Sequence, residues 1–555
     1  MPSRPNQRSA VALVAVFTAV LALAIGLPLG LSAFEDDAPP VEASPARPAP
    51  TKTTLATPAV AVAVVHHDPT AVAAIEEQLK AAGYVVSLDA ETRILEQRPA
   101  GDALEIRVRD HALVVHPRAP LYELGTGAVV DVMALEDGMG LGGPLVIAQE
   151  DADGFSWQEG RTERLVEVAT PSEVTDYVLA HPTAIGFVPL DALDPRVRAL
   201  VANQLDPYQS WERGIGATPL WIQGPEAQAV ADALGWATEP AEEPVRFVAT
   251  GELIPARCVT TQVLALEDGY DAIFDGTRQY LRAADLVMSH WEPAVIDGDP
   301  TPCTPTFNLS TPPLAAQAAA AAGIDVALAV GNHLGDCWPG CGYQDAVLET
   351  VRHLEYAGLQ TTGAGEDLEA ARKPAIVERD GITFAFLAYD DIAYQHYGAT
   401  ETTPGTAHAD PEGVAEDVRA AAQLADHVIV GFSWGVEYVT APTDRQRALA
   451  HAAVEAGASL VVGNHPHWVQ ATEWVGDSFI AYGLGNFVFD QDWSVETSQG
   501  AILEVGFTRD RILGIRLLPT AIRQQYAVEL LDPTQGEGLA ILERIWDASD
   551  VLAAQ

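Results

Sequence analysis

The chain has 555 residues, of which 48% are hydrophobic, and a formal net charge of −46 at pH 7. This length exceeds that of one ordinary domain, and the composition is that of a folded protein rather than a disordered one. Because a strongly acidic surface repels phosphate backbones, we expect no nucleic-acid partner.

The N-terminal segment predicts export. Arg4 and Arg8 precede an uncharged apolar run, residues 10–34, that is long enough to span a bilayer. We interpret residues 1–34 as a signal anchor, with a cleaved signal peptide as the alternative. The first interpretation places the protein on the cell membrane with an extracytoplasmic ectodomain, and the second makes it a secreted protein. The Pro/Ala-rich residues 35–59 then form an extended linker.

Residues 60–240 alternate strand-like and helix-like patterns and predict a smaller α/β domain. The pattern includes a hairpin around Arg109 and Asp110. The stretch "PSEVTDYVLAHPTAIGFVPLDAL" resembles part of the periplasmic phosphate-type binding proteins. We interpret the region as a binding-protein-like domain of unknown ligand, or as a structural spacer.

Residues 246–518 predict a larger layered α/β domain, followed by a C-terminal extension, 519–555. Apolar strands alternate with helical segments, which favours a largely parallel sheet covered by helices. The pair Asp380-Gly381 predicts the turn of an antiparallel hairpin within this domain.

The chain has four cysteines, which in an exported protein indicate disulfides. Zinc binding is the other interpretation, but no C-x-x-C pair occurs and the spacing is irregular. Three full pairings are possible among Cys258, Cys303, Cys337 and Cys341.

Polar side chains follow five of the apolar strands, at the ends where α/β proteins gather ligands. Each residue has another explanation by itself, such as a solvated carboxylate, a turn asparagine or a core histidine. Together they predict a site for one or two divalent cations, with Mn, Fe or Zn as the expected ions. In chain order they are Glu252, His290 and Glu292, Asn332 and His333, Ser433 with Glu437 beyond, and Asn464, His465 and His467.

The same strand ends carry a family resemblance over residues 246–507. The motifs are "GE" at 251, "SHWE" at 289, "GNH" at 331, "SWGVEY" at 433, "GNHPH" at 463 and "YGLGNFVFDQ" at 482. This region resembles the CapA family, which is linked to capsule and poly-γ-glutamate synthesis. The resemblance implies a calcineurin-like metallophosphoesterase fold.

The resemblance also implies residue roles. His333 would be the acid that protonates a leaving oxygen, and Glu292 would bridge two metal positions. The implied metal ligands are Glu252, Glu292, Asn332, His465 and His467.

Three residues depart from the family motifs. Glu252 stands where the family has Asp, and His290 where it has Asn. Ser433 stands where the family has a metal-binding His, which puts one of the two metal positions in doubt because a neutral hydroxyl is a poor ligand.

The leading hypothesis is an exported CapA-type protein with a metal-dependent hydrolase-like or transferase-like domain. It would act on an anionic surface polymer or its precursor, alongside other capsule-synthesis membrane proteins. The alternative is a non-catalytic polymer-binding or assembly subunit with a degenerate metal site. A third hypothesis is a solute receptor that binds its ligand through residues 60–240.

Overall fold

The computed structural model describes the chain from residue 61 onward, with gaps. The described residues are 61–65, 75–76, 79–87, 90–95, 104–106, 111–124, 143–149, 165–202, 206–209, 220–234, 243–337 and 340–555. All of them fall within one compact unit, Ala59–Gln555. The predicted membrane segment, 1–34, and the linker, 35–59, lie outside the described residues. Among the helices that are described, none has both the length and the apolarity that crossing a membrane requires.

Where the structure describes it, the N-terminal region is built from short strands and helices. One sheet has the order β2-β1-β3-β12-β4, a second has β10-β5-β9-β7-β8, and β6 pairs with β11. The strands are β1 Ala61–Val65, β2 Val85–Val86, β3 Thr92–Leu95, β4 Leu104–Ile106, β5 His111–Val115, β6 Glu123–Leu124, β7 Leu145–Ala148, β8 Leu165–Val168, β9 Ile185–Pro189, β10 Arg198–Ala199, β11 Val201–Ala202 and β12 Leu220–Gln223, and the helices are α1 Pro171–Ala180 and α2 Ala227–Leu234.

The hairpin predicted around Arg109 and Asp110 is wrong. Strand β4 pairs with β12 in the first sheet, whereas β5 pairs with β9 and β10 in the second. The physical reason is burial, because four of the five β5 residues are buried and the strand therefore occupies the interior of a sheet. Alternation of apolar residues identifies a strand without identifying its partner.

The C-terminal region contains the larger sheets. Its elements are β13 Val245–Leu253, α3 Cys258–Val263, α4 Arg278–Arg282, β14 Leu286–Trp291, β15 Ala294–Val295, β16 Ser310–Thr311, α5 Pro313–Ala322, β17 Val326–Ala329, α6 Tyr343–Tyr356, β18 Gln360–Thr362, β19 Ala364–Gly365, α7 Leu368–Ala371, β20 Ala375–Arg379, β21 Ile382–Asp390, α8 Tyr394–Tyr397, β22 Gly405–Thr406, α9 Pro411–Ala421, β23 His427–Ser433, α10 Asp444–Ala456, β24 Leu460–Asn464, β25 Thr472–Val475, β26 Ser478–Ala481, β27 Asn486–Val488, β28 Gln499–Phe507, β29 Ile512–Arg523, β30 Ala527–Leu530 and α11 Gly536–Ala553.

Two mixed sheets replace the single, largely parallel sheet that the sequence predicts. The first has the order β18-β17-β14-β13-β28-β29-β30, with β27 paired to β13, and the second has β20-β21-β23-β24-β26-β25. Each sheet has a parallel centre, so the alternation of strands and helices was interpreted correctly. The central strands of both sheets are mostly apolar, and such a run does not indicate which sheet a strand enters.

The two sheets pack face to face around one apolar core. Phe247 of the first sheet and Phe386 of the second are fully buried there, with ring centroids 6.1 Å apart. Burying a side chain of this size contributes about 1.5–3 kcal/mol. Helices α5 and α6 cover the outer face of the first sheet, and α9 and α10 cover that of the second. The result is a layered α/β fold, as the sequence predicts.

The predicted turn at Asp380-Gly381 is confirmed. Strands β20 and β21 pair antiparallel, and both turn residues have positive φ, 49° and 81°, which is typical of a tight hairpin. At the C-terminal end, β29 runs through position 518, and Ile541 and Ile545 of α11 belong to the core between the sheets. The domain boundaries at 240, 246 and 518 stay predictions.

The four cysteines form two disulfides, which confirms the disulfide interpretation. Cys258 pairs with Cys303, and Cys337 pairs with Cys341. The first disulfide joins α3 to the loop before β16. The second closes a short loop between β17 and α6.

Candidate metal centre

The carboxyl ends of the two sheets meet at Glu252. This residue lies near the end of β13, opposite His290 of β14, and is fully buried. Its Oε2 atom lies 2.8 Å from Nδ1 of His467, which follows β24 in the second sheet. Its Oε1 atom accepts a hydrogen bond from the backbone N–H of His465. One carboxylate therefore contacts the two histidines that the sequence predicts as ligands.

His467 lies between two oxygen atoms. Its Nδ1 is 2.8 Å from Glu252 Oε2 and 3.0 Å from Oδ1 of Asn486. Because Nδ1 carries at most one proton, it donates a full hydrogen bond to only one of these oxygens. Burial opposes the charge on both partners, but their mutual attraction outweighs it. The pKa of Glu252 is therefore lowered and that of His467 is raised.

His465 is kept neutral by its surroundings. Burial is the largest effect, followed by the charge of His467, and together they lower the pKa of His465 to about 3. Neutral imidazole is the form that binds metal ions. Both His465 and His467 have positive φ, 94° and 59°, a conformation that costs energy for residues other than glycine. Such strain is typical of functional sites.

Glu292, the second predicted carboxylate, lies beside His290. The Oε2 atom of Glu292 is 3.1 Å from Nε2 of His290, and both side chains are buried. Gly331 has φ of 135°, and a Cβ at this position would clash with the Glu292 carboxylate. The glycine of the "GNH" motif is therefore needed both for its backbone conformation and for the space that Glu292 occupies.

Several buried polar atoms at these strand ends have no hydrogen-bond partner among the described residues. A buried polar atom without a partner costs about 1–3 kcal/mol, so a group of them in one place calls for an explanation. Oxygen and imidazole nitrogen atoms of this kind are donors to divalent cations, and the residues present therefore fit a metal ion. The atoms are Nδ1 of His290, Oδ1 of Asn332, Oγ of Ser433 and both amide atoms of Asn464.

His333 is oriented by an acidic residue that the sequence analysis missed. Its Nδ1 lies 2.6 Å from Oδ2 of Asp336, and the same oxygen accepts a hydrogen bond from the backbone of Leu309, 2.8 Å away. An Asp that fixes one imidazole nitrogen leaves the other free for proton transfer. The signal was present in the sequence, since Asp336 follows His333 by three residues.

Two further residues near the site were also missed. Asp390 ends β21, opposite Ser433, and is fully buried. Burial and the nearby charge of Glu292 raise the pKa of Asp390 to about 6, against three hydrogen bonds that lower it. The hydroxyl of Tyr343 is buried without a partner, and burial followed by the charges of Asp390 and Asp336 raises the pKa of Tyr343. Neither residue belongs to a motif that indicates its position.

The structure brings the predicted ligands together in pairs. Glu252 meets His467, and Glu292 meets His290. Within the described ranges, a different set of three side chains has its ligand atoms all within 4.8 Å of one another. These are Asp297, Glu349 and His353. The predicted metal ligands therefore stay a prediction, supported by the unpartnered atoms.

Comparison with known proteins shows what this region is similar to. Residues 246–491 match the family model described as bacterial capsule synthesis protein PGA_cap. The PGA biosynthesis protein CapA of Bacillus subtilis is 32% identical over 256 residues, which are 46% of this chain and 65% of the relative. The capsule biosynthesis protein CapA of Bacillus anthracis is 29% identical over 291 residues, 51% of this chain and 67% of the relative. The aligned residues thus span about two thirds of the length of these two relatives.

Solved structures resemble the chain more distantly. The calcineurin-like phosphoesterase YfkN from Bacillus subtilis aligns with 56% of this chain and 97% of its own, at 9% identity and a TM-score of 0.30. The predicted likeness of residues 60–240 to phosphate-type binding proteins stays a prediction. Residues 246–491 are therefore similar to the CapA proteins of bacterial capsule synthesis.

Proposed function

We propose that the protein acts in the synthesis of an anionic surface polymer, capsule or poly-γ-glutamate, through a metal-dependent hydrolase-like or transferase-like site at the ends of β13, β14, β17, β23 and β24. The names of the similar CapA proteins support a role in this synthesis. The observation that carries the site is the group of buried polar atoms at the ends of β14, β17, β23 and β24 that have no hydrogen-bond partner among the described residues.

The residues that would hold a metal ion are Glu252, Glu292, Asn332, His465 and His467. A bound divalent ion would polarise a phosphoryl or carbonyl oxygen and activate water. Burial keeps His465 neutral and therefore able to donate a lone pair. Asn464, whose amide atoms are both unpartnered, is a further candidate that the family motif alone does not select.

The proton donor in this proposal is His333. Asp336 accepts the Nδ1 proton of the ring, which leaves Nε2 as the nitrogen that can protonate a leaving oxygen. General acid catalysis of this kind contributes roughly 10²–10⁴ in rate. The side chain of His333 is 20% exposed, so the ring has access to solvent and to a substrate.

A second candidate function is a non-catalytic polymer-binding or assembly subunit. Ser433 supports it, because a neutral hydroxyl is a weak ligand where the family motif has a histidine. The pairwise arrangement of the carboxylates and imidazoles supports it as well. The two functions differ in metal content and in turnover.

The test is elemental analysis of the dialysed full-length protein. We expect fewer than two tightly bound ions in the wild type, loss of the tight ion in His467→Ala and higher occupancy in Ser433→His. His451→Ala is the matched control, because His451 also pairs with a glutamate, Glu473, at 3.1 Å but lies outside the site. The absence of metal from all variants would contradict the metal site. That outcome would favour the assembly subunit, whose metal site is degenerate.

We also propose that residues 35–555 are extracytoplasmic, either anchored to the membrane or secreted. The apolar N-terminal run and the two disulfides support export, because disulfides persist in oxidising compartments. Thiol titration of the unfolded protein without reductant should find no free cysteine. A reporter fused after Gln555 that works only in the cytoplasm should be inactive, and an active one would contradict export.

A further inference from the structure

A cavity of about 480 Å³ lies between the N-terminal region and the C-terminal region, outside the candidate metal centre. Its walls come from β10 and the segment before β6 on one side, and from β25, β29 and α11 on the other. Trp474, Leu517 and Trp546 provide apolar lining, and Tyr122 and Arg198 lie on the opposite side.

Four arginines line this cavity, and three of them are neutralised. Each of the three forms an ion pair with at least one carboxylate of the chain. The pairs are Arg118 with Asp550, Arg196 with Asp194, and Arg516 with Asp206 and Glu504.

Arg198 is the fourth, and it has no carboxylate partner among the described residues. Its Nη2 atom donates to the backbone carbonyls of Ala119 and Leu121, and the Tyr122 ring centroid lies 3.6 Å from its Cζ. Within the described ranges its Nε and Nη1 atoms have no hydrogen-bond partner, although the residue is only 3% exposed. Burial is the main reason that the pKa of Arg198 is lowered.

A buried cation without a counter-charge is costly, and a bound anion removes that cost. One unpaired positive charge matches a monoanionic group such as a carboxylate better than a dianionic phosphate. The surrounding tryptophan and leucine side chains are apolar and would pack against the aliphatic carbon atoms of a ligand. The ligand class is therefore a carboxylate attached to methylene groups.

We propose that this cavity binds a carboxylate-bearing aliphatic ligand with Arg198 as its counter-charge, and that the ligand is a glutamyl unit of the polymer. The choice of polymer rests on the proposed function. A γ-linked glutamate chain carries one carboxylate and two methylene groups per unit. The cavity would then be a polymer-binding site separate from the strand-end centre.

The test is isothermal titration calorimetry of the full-length protein with a γ-linked glutamate pentamer. We expect saturable binding that Arg198→Met weakens by about tenfold to a hundredfold, the range for a hydrogen-bonded charge. Arg196→Met is the matched control, because Arg196 lines the same cavity two residues away but already pairs with Asp194 at 2.7 Å. That variant should retain affinity within about twofold.

A second variant covers the case in which Arg198→Met fails to fold. Trp546→Ala alters the opposite wall, leaves the hydrogen bonds of Arg198 intact and should also weaken pentamer binding.

Equal losses in the two arginine variants, or undiminished binding of the pentamer methyl ester, would overturn the proposal. Stronger binding of inorganic phosphate would overturn the carboxylate assignment. Binding of glutarate without the pentamer would overturn the polymer as ligand, while metal content would report on the strand-end site independently.

Discussion

Glu252 and His467 lie 2.8 Å apart and come from different sheets, so a single ion pair connects the carboxyl ends of β13 and β24. Both side chains are buried, and the pair therefore contributes to the packing of the two sheets as well as to the candidate metal centre. Four predictions separate these contributions from one another and from the rest of the fold.

The first prediction concerns this carboxylate. Glu252→Gln should abolish tight metal binding, because it removes the charge, and should lower the free energy of unfolding by about 3–5 kcal/mol, since it leaves His467 without its counter-charge. Glu252→Asp is the control, because it keeps the carboxylate and should retain metal. Elemental analysis and urea unfolding measure the two effects. Equal metal content in the Gln variant and the wild type would contradict the ligand role.

The second prediction concerns Asp336. Asp336→Asn should slow phosphoester turnover by about tenfold or more, because an amide no longer fixes the proton of His333 on Nδ1, while metal content stays unchanged. Asp345→Asn, at an exposed position in the first turn of α6, is the control. Turnover of bis(p-nitrophenyl) phosphate is the measurement. If both variants were as active as the wild type, His333 would not depend on Asp336.

The third prediction concerns Gly331. Gly331→Ala should displace the Glu292 carboxylate and thereby reduce metal occupancy, in addition to straining the backbone. Gly340→Ala is a matched control, because Gly340 also has a positive φ, 151°, but has open space around its Cβ position. Both variants should be destabilised by about 1 kcal/mol or more, and only the first should lose metal. Identical metal content in both would show that Glu292 does not need its present position.

The fourth prediction concerns a buried charge cluster remote from the metal centre. Glu504 of β28 accepts hydrogen bonds from Arg246 and from Arg516 of β29, and all three side chains are buried. Glu504→Gln should lower the free energy of unfolding by about 3–5 kcal/mol, because it leaves the buried Arg246 without its carboxylate partner and Arg516 with Asp206 alone.

The control for this cluster is Glu529→Gln, where the glutamate side chain is 46% exposed and pairs with Arg523. That change should cost less than about 1 kcal/mol. Urea unfolding followed by circular dichroism compares the two variants. Similar small losses in both would show that the cluster contributes little.

The strand ends could be predicted because each one is a local pattern, an apolar run followed by a polar residue. Glu252 and His467 were identified in this way, although they are 215 positions apart. The assignment of strands to two sheets could not be predicted, since Phe247 and Phe386 look alike in sequence and only packing separates them. The prediction of a hairpin between β4 and β5 was wrong for the same reason.

The missed site residues have a different cause. Asp390 and Tyr343 reach the site through the pairing of β21 with β23 and through the start of α6, which are long-range features. Arg198 is an extreme case, because its importance depends on having no carboxylate partner among the residues that the structure describes. No local pattern contains that information.

The position of α11 bears on the order in which the protein can fold during synthesis. Ile541, Leu542 and Ile545 of this helix complete the core between the two sheets, whose first strand begins at Val245. About three hundred residues must therefore emerge before the core can close, and until then its apolar faces are exposed to other chains. The chain thus depends on protection against aggregation while it is being made, and that need ends only when α11 has docked.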